Sequence, residues 1–379
     1  MGKCVLTLHC NTPAMTPPPQ RLIVLTENFN ATFWINFGLL FDEGRTDWQL
    51  QSLDAESFER EPSRLSQLLA AGTMGVPPAA LVLSRYHGSR AVDAVLAGRT
   101  AGVPVLFHLD DWLFELPASI GAAYTQRYDA SALRRLDAVL SVVDAILCST
   151  SALHEQLQRR LPGKTIHTLV GVCYRPYPGP RLEPKARLSR LTRWLAMRRQ
   201  TTIGYAGSNS HQADLEMVVP ALLKAMAAHP TLRFECLGLP VPAPLRAAFA
   251  SRVSSHGYTR EYPAYIRSLY EARWTFALCP LVDHLFNRCK TATKLVEYAA
   301  CGVPALVSAL DPYVLAVGEA ARSMLVPGSD DWGAAIAEWL ADPPQRRQAL
   351  LSVQHHFNEE ANPAQARRQL LKCIRPVST

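Results

Sequence analysis

Short apolar, β-branched runs alternate along the chain with stretches of helical spacing, a pattern that predicts parallel sheets joined by crossover helices. The first set predicts strands over 21–27, 48–53, 80–86, 103–110, 145–150 and 165–170, with helices over 89–99, 130–143 and 152–160 among the connections. A second set begins at residue 201, with strands over 202–206, 233–238, 252–255, 275–280, 303–308 and 323–326 and helices over 214–228, 262–272, 291–300 and 331–340. The economical reading is α/β, with two Rossmann-like halves. Between them Pro176, Pro178, Pro180 and Pro184 exclude regular structure and mark a connection. After residue 343 helical spacing returns over 346–357 and 364–374. The expected organisation is therefore 1–178, a linker over 179–200, and 201–360, with residues 361–379 packing back on the first half.

Composition fits this picture. At 379 residues, 48% hydrophobic and only 19% charged, the chain has the makeup of a globular enzyme rather than of a disordered protein. No run approaches the ~18–20 apolar residues that cross a bilayer, and residues 1–20 lack a signal peptide's charged start and apolar core. A cytoplasmic protein is expected. The nine cysteines form no CxxC pair, which argues against a zinc cluster or a disulfide scaffold, and Cys148, Cys236 and Cys279 lie in apolar runs as core residues. The net charge of +7 is mostly local: between Glu183 and Arg199 six basic residues stand against one acid. Leu188, Leu191, Trp194 and Leu195 gather on one side of that segment, which suits an anionic membrane surface as well as a solvated linker helix. Neither half carries basic stripes interleaved with aromatics, so nucleic acid is not an expected partner.

Candidate chemistry concentrates where a buried strand ends at Pro280, a polar loop follows, and a helix opens near Thr291 and stops at Gly302. In a doubly wound sheet the carboxyl ends of strands form the ligand crevice, and helix amino termini there favour phosphate. Asn287, Arg288 and Lys290 are expected at such a terminus, with Lys294 and Glu297 on one helical face beyond it. Two cations for a diphosphate and a carboxylate for ribose hydroxyls is the functional reading; a solvated polar helix is the plain one. Gly207-Ser208-Asn209-Ser210-His211 follows the first strand of the second half, where Gly207 permits close approach of a ligand and the polar residues can cap a helix or donate to phosphate.

The segment Phe286-Asn287-Arg288, Lys290, Lys294, Glu297-Tyr298-Ala299-Ala300, Gly302, Pro304 resembles the donor-binding stretch of GT-B glycosyltransferases, of the group-1 or family-4-like type found in bacterial polysaccharide assembly. The Gly207-Ser208, His211, Asp214 loop is similar to theirs too. By this resemblance Glu297 holds the ribose of a nucleotide-sugar donor, with Gly207, Ser208, Asn209, His211, Asn287, Arg288, Lys290 and Lys294 around it. Better-known members carry a second glutamate eight positions earlier, at the donor sugar; here that position is Cys289. They also place Arg and Lys in the first loop. Neither occurs between Gly204 and Met217, which assigns the diphosphate charge to Arg288 and Lys290.

In the first half, 103–110 ends in His108, Asp110 and Asp111 at the crevice rim, where an acid or the histidine can orient an acceptor hydroxyl or serve as a base. One acid capping a turn reads equally well, and for His108 a structural histidine is the commoner case. His108-Leu109-Asp110-Asp111 is similar to a string in the acceptor half of these enzymes. Arg85 and His87 end the preceding strand and are expected on the acceptor side. With no Asp-x-Asp motif, transfer is expected to need no metal and no cofactor. The resemblance thus implies transfer of a hexosyl or deoxyhexosyl unit from a nucleotide sugar to a glycan or lipid-linked acceptor, at the inner face of the cell membrane if residues 183–199 bind lipid. Retention fits the family-4 likeness, but retaining and inverting chemistry both remain open, as do a non-catalytic scaffold and a sugar-nucleotide epimerase.

Overall fold

The computed structural model describes residues 19–41, 47–70, 77–169, 173–179 and 201–374. The basic segment 183–199 lies outside them. Each predicted strand forms, its ends shifted by no more than two residues. The first sheet comprises β1 (Gln20–Thr26), β2 (Trp48–Asp54), β3 (Ala80–Ser84), β4 (Val105–Leu109), β5 (Ala145–Cys148) and β6 (Ile166–Thr168), in the order β2-β1-β3-β4-β5-β6. The second comprises β7 (Thr202–Ala206), β8 (Arg233–Leu237), β9 (Val253–His256), β10 (Phe276–Cys279), β11 (Ala305–Ser308) and β12 (Leu325–Val326), in the order β12-β11-β10-β7-β8-β9. All pairings are parallel. Each sheet therefore reverses its winding once, between β1 and β3 and between β7 and β10, and a ligand crevice belongs at each reversal.

Burial on both faces explains why these strands read as unbroken apolar runs. In β1, Leu22 and Val24 join one apolar cluster while Ile23 and Leu25 join another across the sheet. Side-chain caps set helix starts: Asp129 accepts from the Ala132 N–H at 2.8 Å to open Ala130–Val142, and Thr150 accepts from Leu153 to open Ser151–Arg160. Two expectations change. The helix expected over 214–228 is broken at Val218, into Gln212–Met217 and Val219–Ala228, where Pro220 in the first turn suits a new start. The helix expected from Thr291 begins at Thr293, and a separate turn, Leu285–Arg288, precedes it. Residues 31–41, which carry no strong sequence signal, are helical with a π turn over Trp34–Gly38.

Among the described residues the halves are tied at several places. Tyr174 N–H donates to the Ala361 carbonyl at 2.7 Å and Tyr177 N–H to the Ala300 carbonyl at 2.9 Å. The last helix, Pro363–Ile374, places Leu370 and Ile374 among Leu22, Val24 and Phe37, and Arg367 donates to the Leu40 carbonyl. Finally, the Leu285–Arg288 turn inserts Phe286 and then Cys289 into the first half's apolar cluster, where Thr150 Oγ1 donates to the Cys289 carbonyl at 2.9 Å. No described helix is long and apolar enough to cross a membrane.

Candidate functional site

A cavity of about 1350 Å³ opens between the two sheets' carboxyl ends and is lined from both halves. Its second-half wall contains Gly207, Ser208, Asn209, His211, Lys290, Lys294 and Glu297. Loop closeness fixes one of its glycines: Gly238 has φ +86°, and a Cβ there would lie 2.3 Å from the Gly207 carbonyl oxygen.

Glu297 is 3% exposed, and its Oε2 accepts from the Tyr265 hydroxyl at 2.9 Å. Its Oε1 is buried and makes no hydrogen bond of good geometry, with the Tyr262 hydroxyl close by. Burial pushes its carboxyl up to about 7, against the opposing pull of Tyr265, Lys294 and Tyr262. Glu297 lines the cavity, held from behind by Tyr265 and Tyr262, a position from which a carboxyl can meet a hydroxyl donor. Lys294, one helical turn earlier, reaches the Tyr205 hydroxyl at 3.3 Å and keeps spare N–H groups; burial pulls its ammonium down to about 8. Lys290 crosses to the first half, where Nζ lies 3.3 Å from Asp111 Oδ1 and 4.1 Å from the Phe286 ring centroid. Lys290 therefore precedes the helix rather than sharing its face with Lys294 and Glu297.

Two expected donor residues point elsewhere. Arg288 is turned to the outside, where Nε and Nη2 hold Asp283 at 2.6 and 2.7 Å and Asp311 lies 3.7 Å away. It is not part of the cavity wall. Asn287 is buried, donating to Asp214 Oδ1 and to the Val282 carbonyl, both at 2.9 Å. The cause is the Leu285–Arg288 turn, which aims Arg288 at Asp283, while Lys290, past the end of the turn, faces Asp111 of the first half. Asp214, at the base of the wall, also accepts from the Val282 N–H at 2.8 Å and from His211 Nδ1 at 2.7 Å.

The first-half wall carries Glu27, Thr32, Arg85, Asp110, Asp111 and Arg127. Arg85, just past β3, adopts φ +57°, a left-handed conformation that costs a non-glycine residue about 1 kcal/mol. Its guanidinium holds it there: Nη1 donates to Asp110 and Asp111, both at 2.9 Å, and Nη2 to the hydroxyls of Tyr128 (2.9 Å) and Tyr124 (3.3 Å). Arg127 pairs with Glu27, and the Thr32 hydroxyl donates to Asp110 at 2.7 Å. Burial pushes Asp111 up, but Lys290 and Arg85 outweigh it and hold the carboxyl at about 2. In this arrangement Asp111 is a weak proton acceptor. His108 departs from the expected catalytic role: it is fully buried beneath the wall, Nδ1 3.1 Å from Ser84 Oγ, and burial lowers it to about 4. His87 likewise lies behind Arg85, stacked on Tyr128 with Nδ1 at the Arg85 carbonyl, rather than on the acceptor side of the cavity. His108 lies inside β4 and His87 turns back onto the Arg85 carbonyl, so of these five residues only Arg85 and the two acids line the cavity.

Sequence reasoning passed over Tyr205, Tyr262 and Tyr265, which shape the pocket around Lys294 and Glu297. It also passed over Tyr258, an exposed aromatic on the cavity wall, and Thr32. The available signal was position alone: Thr32 follows β1, Tyr205 lies within β7, and Tyr258, Tyr262 and Tyr265 follow β9. Among the described residues no group of three His, Cys, Asp or Glu side chains could hold a metal ion.

Two six-stranded parallel sheets, each reversing once and sharing a crevice, define a GT-B fold. Residues 218–372 match the family model described as glycosyl transferase-like. Among solved structures, Anabaena HepE bound to UDP and glucose is similar with a TM-score of 0.61 at 12% identity, covering 94% of this chain and 99% of that one. Sucrose-phosphate synthase from Thermosynechococcus elongatus follows at 0.58 and 15%, with the same coverages. WaaG, a glycosyltransferase involved in lipopolysaccharide biosynthesis, gives 0.57 and 12%, again over 94% and 99%. No curated protein sequence matches the chain.

Proposed function

We propose that the protein is a glycosyltransferase whose second half binds a nucleoside diphosphate sugar and whose first half presents an acceptor hydroxyl from a glycan or lipid-linked saccharide. The carrying observation is the grouping of the buried Glu297 carboxyl with Lys294 and Lys290 on one cavity wall at the β7–β10 reversal. In this reading Glu297 accepts from ribose hydroxyls while Lys290, Lys294 and the N–H groups at Thr293 face the diphosphate. Cleavage of the sugar–phosphate bond leaves negative charge on the diphosphate, and cations already in place lower that barrier without reorganising. UDP is the first nucleotide to try, since HepE holds it. Asp111, tied to Arg85 and Lys290, is poorly suited as a base, which favours a retaining route in which the leaving phosphate oxygen takes the acceptor proton.

The test is sugar transfer by purified protein from UDP-, GDP- and dTDP-sugars. Lys294→Ala is expected to cut kcat/KM at least 100-fold with its circular dichroism unchanged; near-normal transfer would refute the donor site. Transfer should survive EDTA, and a loss restored by magnesium would contradict metal independence. One observation favours a non-catalytic binder: the buried Cys289 offers a donor sugar no carboxylate. Binding of nucleotide sugar without transfer to any acceptor would support that reading instead. The working place in this proposal is the cytoplasm, with residues 183–199 on an anionic membrane; retention by anionic liposomes, lost on neutralising that segment, checks it.

A further inference from the structure

With Arg288 turned to Asp283, the wall that faces a diphosphate is short of charge, and the loop over residues 204–217 supplies no Arg or Lys. It does supply an oriented histidine. Asp214 is 3% exposed and receives three donors: the Val282 N–H, Asn287 Nδ2 and His211 Nδ1. Burial pushes that carboxyl up, but His211, Lys294 and the Val282 N–H more than offset it, so Asp214 is ionised and has no proton to give. His211 Nδ1 must therefore carry the hydrogen of the 2.7 Å bond, and Nε2 is left as a lone pair on a residue that lines the cavity.

An oriented lone pair beside Lys290 and Lys294 is wrong for a bound phosphate unless it gains a proton. We propose that His211 is a charge-switching ligand for the diphosphate, taking one proton from solvent onto Nε2 as the nucleoside diphosphate binds and becoming the cation its loop lacks. Nδ1–H stays on Asp214 throughout, so the imidazolium is clamped between a carboxylate and a phosphate. The groups around it set the switch. Burial holds the free imidazole down at about 4, reinforced by Lys294 and Lys290 and opposed by Asp214. Tyr205 donates its hydroxyl to the His211 carbonyl, and His284 feels the same Asp214 and Lys290. A bound diphosphate neutralises the two lysines and adds negative charge at Nε2, which reverses the terms that keep His211 neutral.

The inference rests on the donor site proposed above. The experiment is calorimetric titration of the whole protein with UDP and with GDP between pH 6 and 8, in two buffers of different ionisation enthalpy, comparing the parent with His211→Asn. Asparagine keeps an N–H on Asp214 and cannot titrate. The nucleotide's own protonation, and that of Lys294, are common to both proteins and cancel. The parent should take up about one proton more per nucleotide than His211→Asn at pH 7, and its affinity relative to the variant should rise about tenfold from pH 7 to pH 6. Equal proton uptake with parallel pH profiles overturns the proposal while leaving the donor site standing. Failure of the parent to bind either nucleotide at any pH overturns the donor reading and this one with it.

Discussion

Glu297 shows how a single residue trades stability for a site. Its carboxyl is raised from an ordinary 4.5 to about 7 chiefly by burial, so the native state resists ionising it. That resistance costs nothing below pH 4.5, grows as the pH rises through 7, and then levels off at a value on the order of 3 kcal/mol. The ligand-free Glu297→Gln variant should therefore gain Tm over the parent by a few degrees as the pH goes from 5 to 8, while its nucleotide affinity falls. Thermal denaturation across that range checks it; a constant difference would contradict the assigned strain. Neighbouring side chains divide just as sharply. Arg288→Ala should leave nucleotide affinity within about twofold, whereas Lys290→Ala should weaken it at least tenfold. Lys290, Lys294 and Glu297 were legible in the sequence because charge after an apolar strand end is unusual. Arg288 and Asn287 were misread because sequence spacing does not show where one turn stops and the next begins. Asp283, five residues before Arg288, was the available hint.

Among the elements, the Leu285–Arg288 turn carries the most consequence. Phe286, 2% exposed, belongs to the first half's core although it lies in the second half, and it meets Tyr124 edge-on with ring centroids 6.2 Å apart. Phe286→Ala should remove about 3 kcal/mol of packing and unpin the halves. Small-angle scattering should then show a larger radius of gyration than for the parent; an unchanged value would mean that the other ties hold the cleft alone. A second element depends on a missing side chain. A Cβ at Gly204 would lie 1.7 Å from the Trp274 ring, which covers β7. Gly204→Ala is expected to destabilise the second sheet by about 3 kcal/mol, read as a lowered denaturation midpoint. The strands were legible because double-sided burial writes them as apolar runs. The helical stretch over 31–41 was not, since Phe29, Asn30 and Phe33 carry no helical spacing and its Asn30 cap closes only a three-residue helix before the π turn.

At the scale of the whole molecule, two sheets that each reverse once bring their reversals face to face. Glu27, Asp110 and Asp111 of one half then meet Arg85, Arg127 and, from 179 residues away, Lys290. The fold class followed from alternation along the chain, but that pairing did not, because local pattern carries no information about partners so distant. In the unliganded molecule Lys290 is held by Asp111, so a diphosphate must compete for it. In the proposed function this crevice binds a nucleoside diphosphate sugar through Lys290, Lys294 and Glu297. The most direct measurement is the Tm of the parent, Lys290→Ala and Glu297→Gln against UDP-, GDP- and dTDP-sugars, since a ligand at 100 times its Kd adds about 2.7 kcal/mol of apparent stability. At least one nucleotide sugar should raise the parent's Tm by several degrees and leave both variants nearly unmoved. No shift with any of them, or equal shifts in parent and variants, would contradict the account.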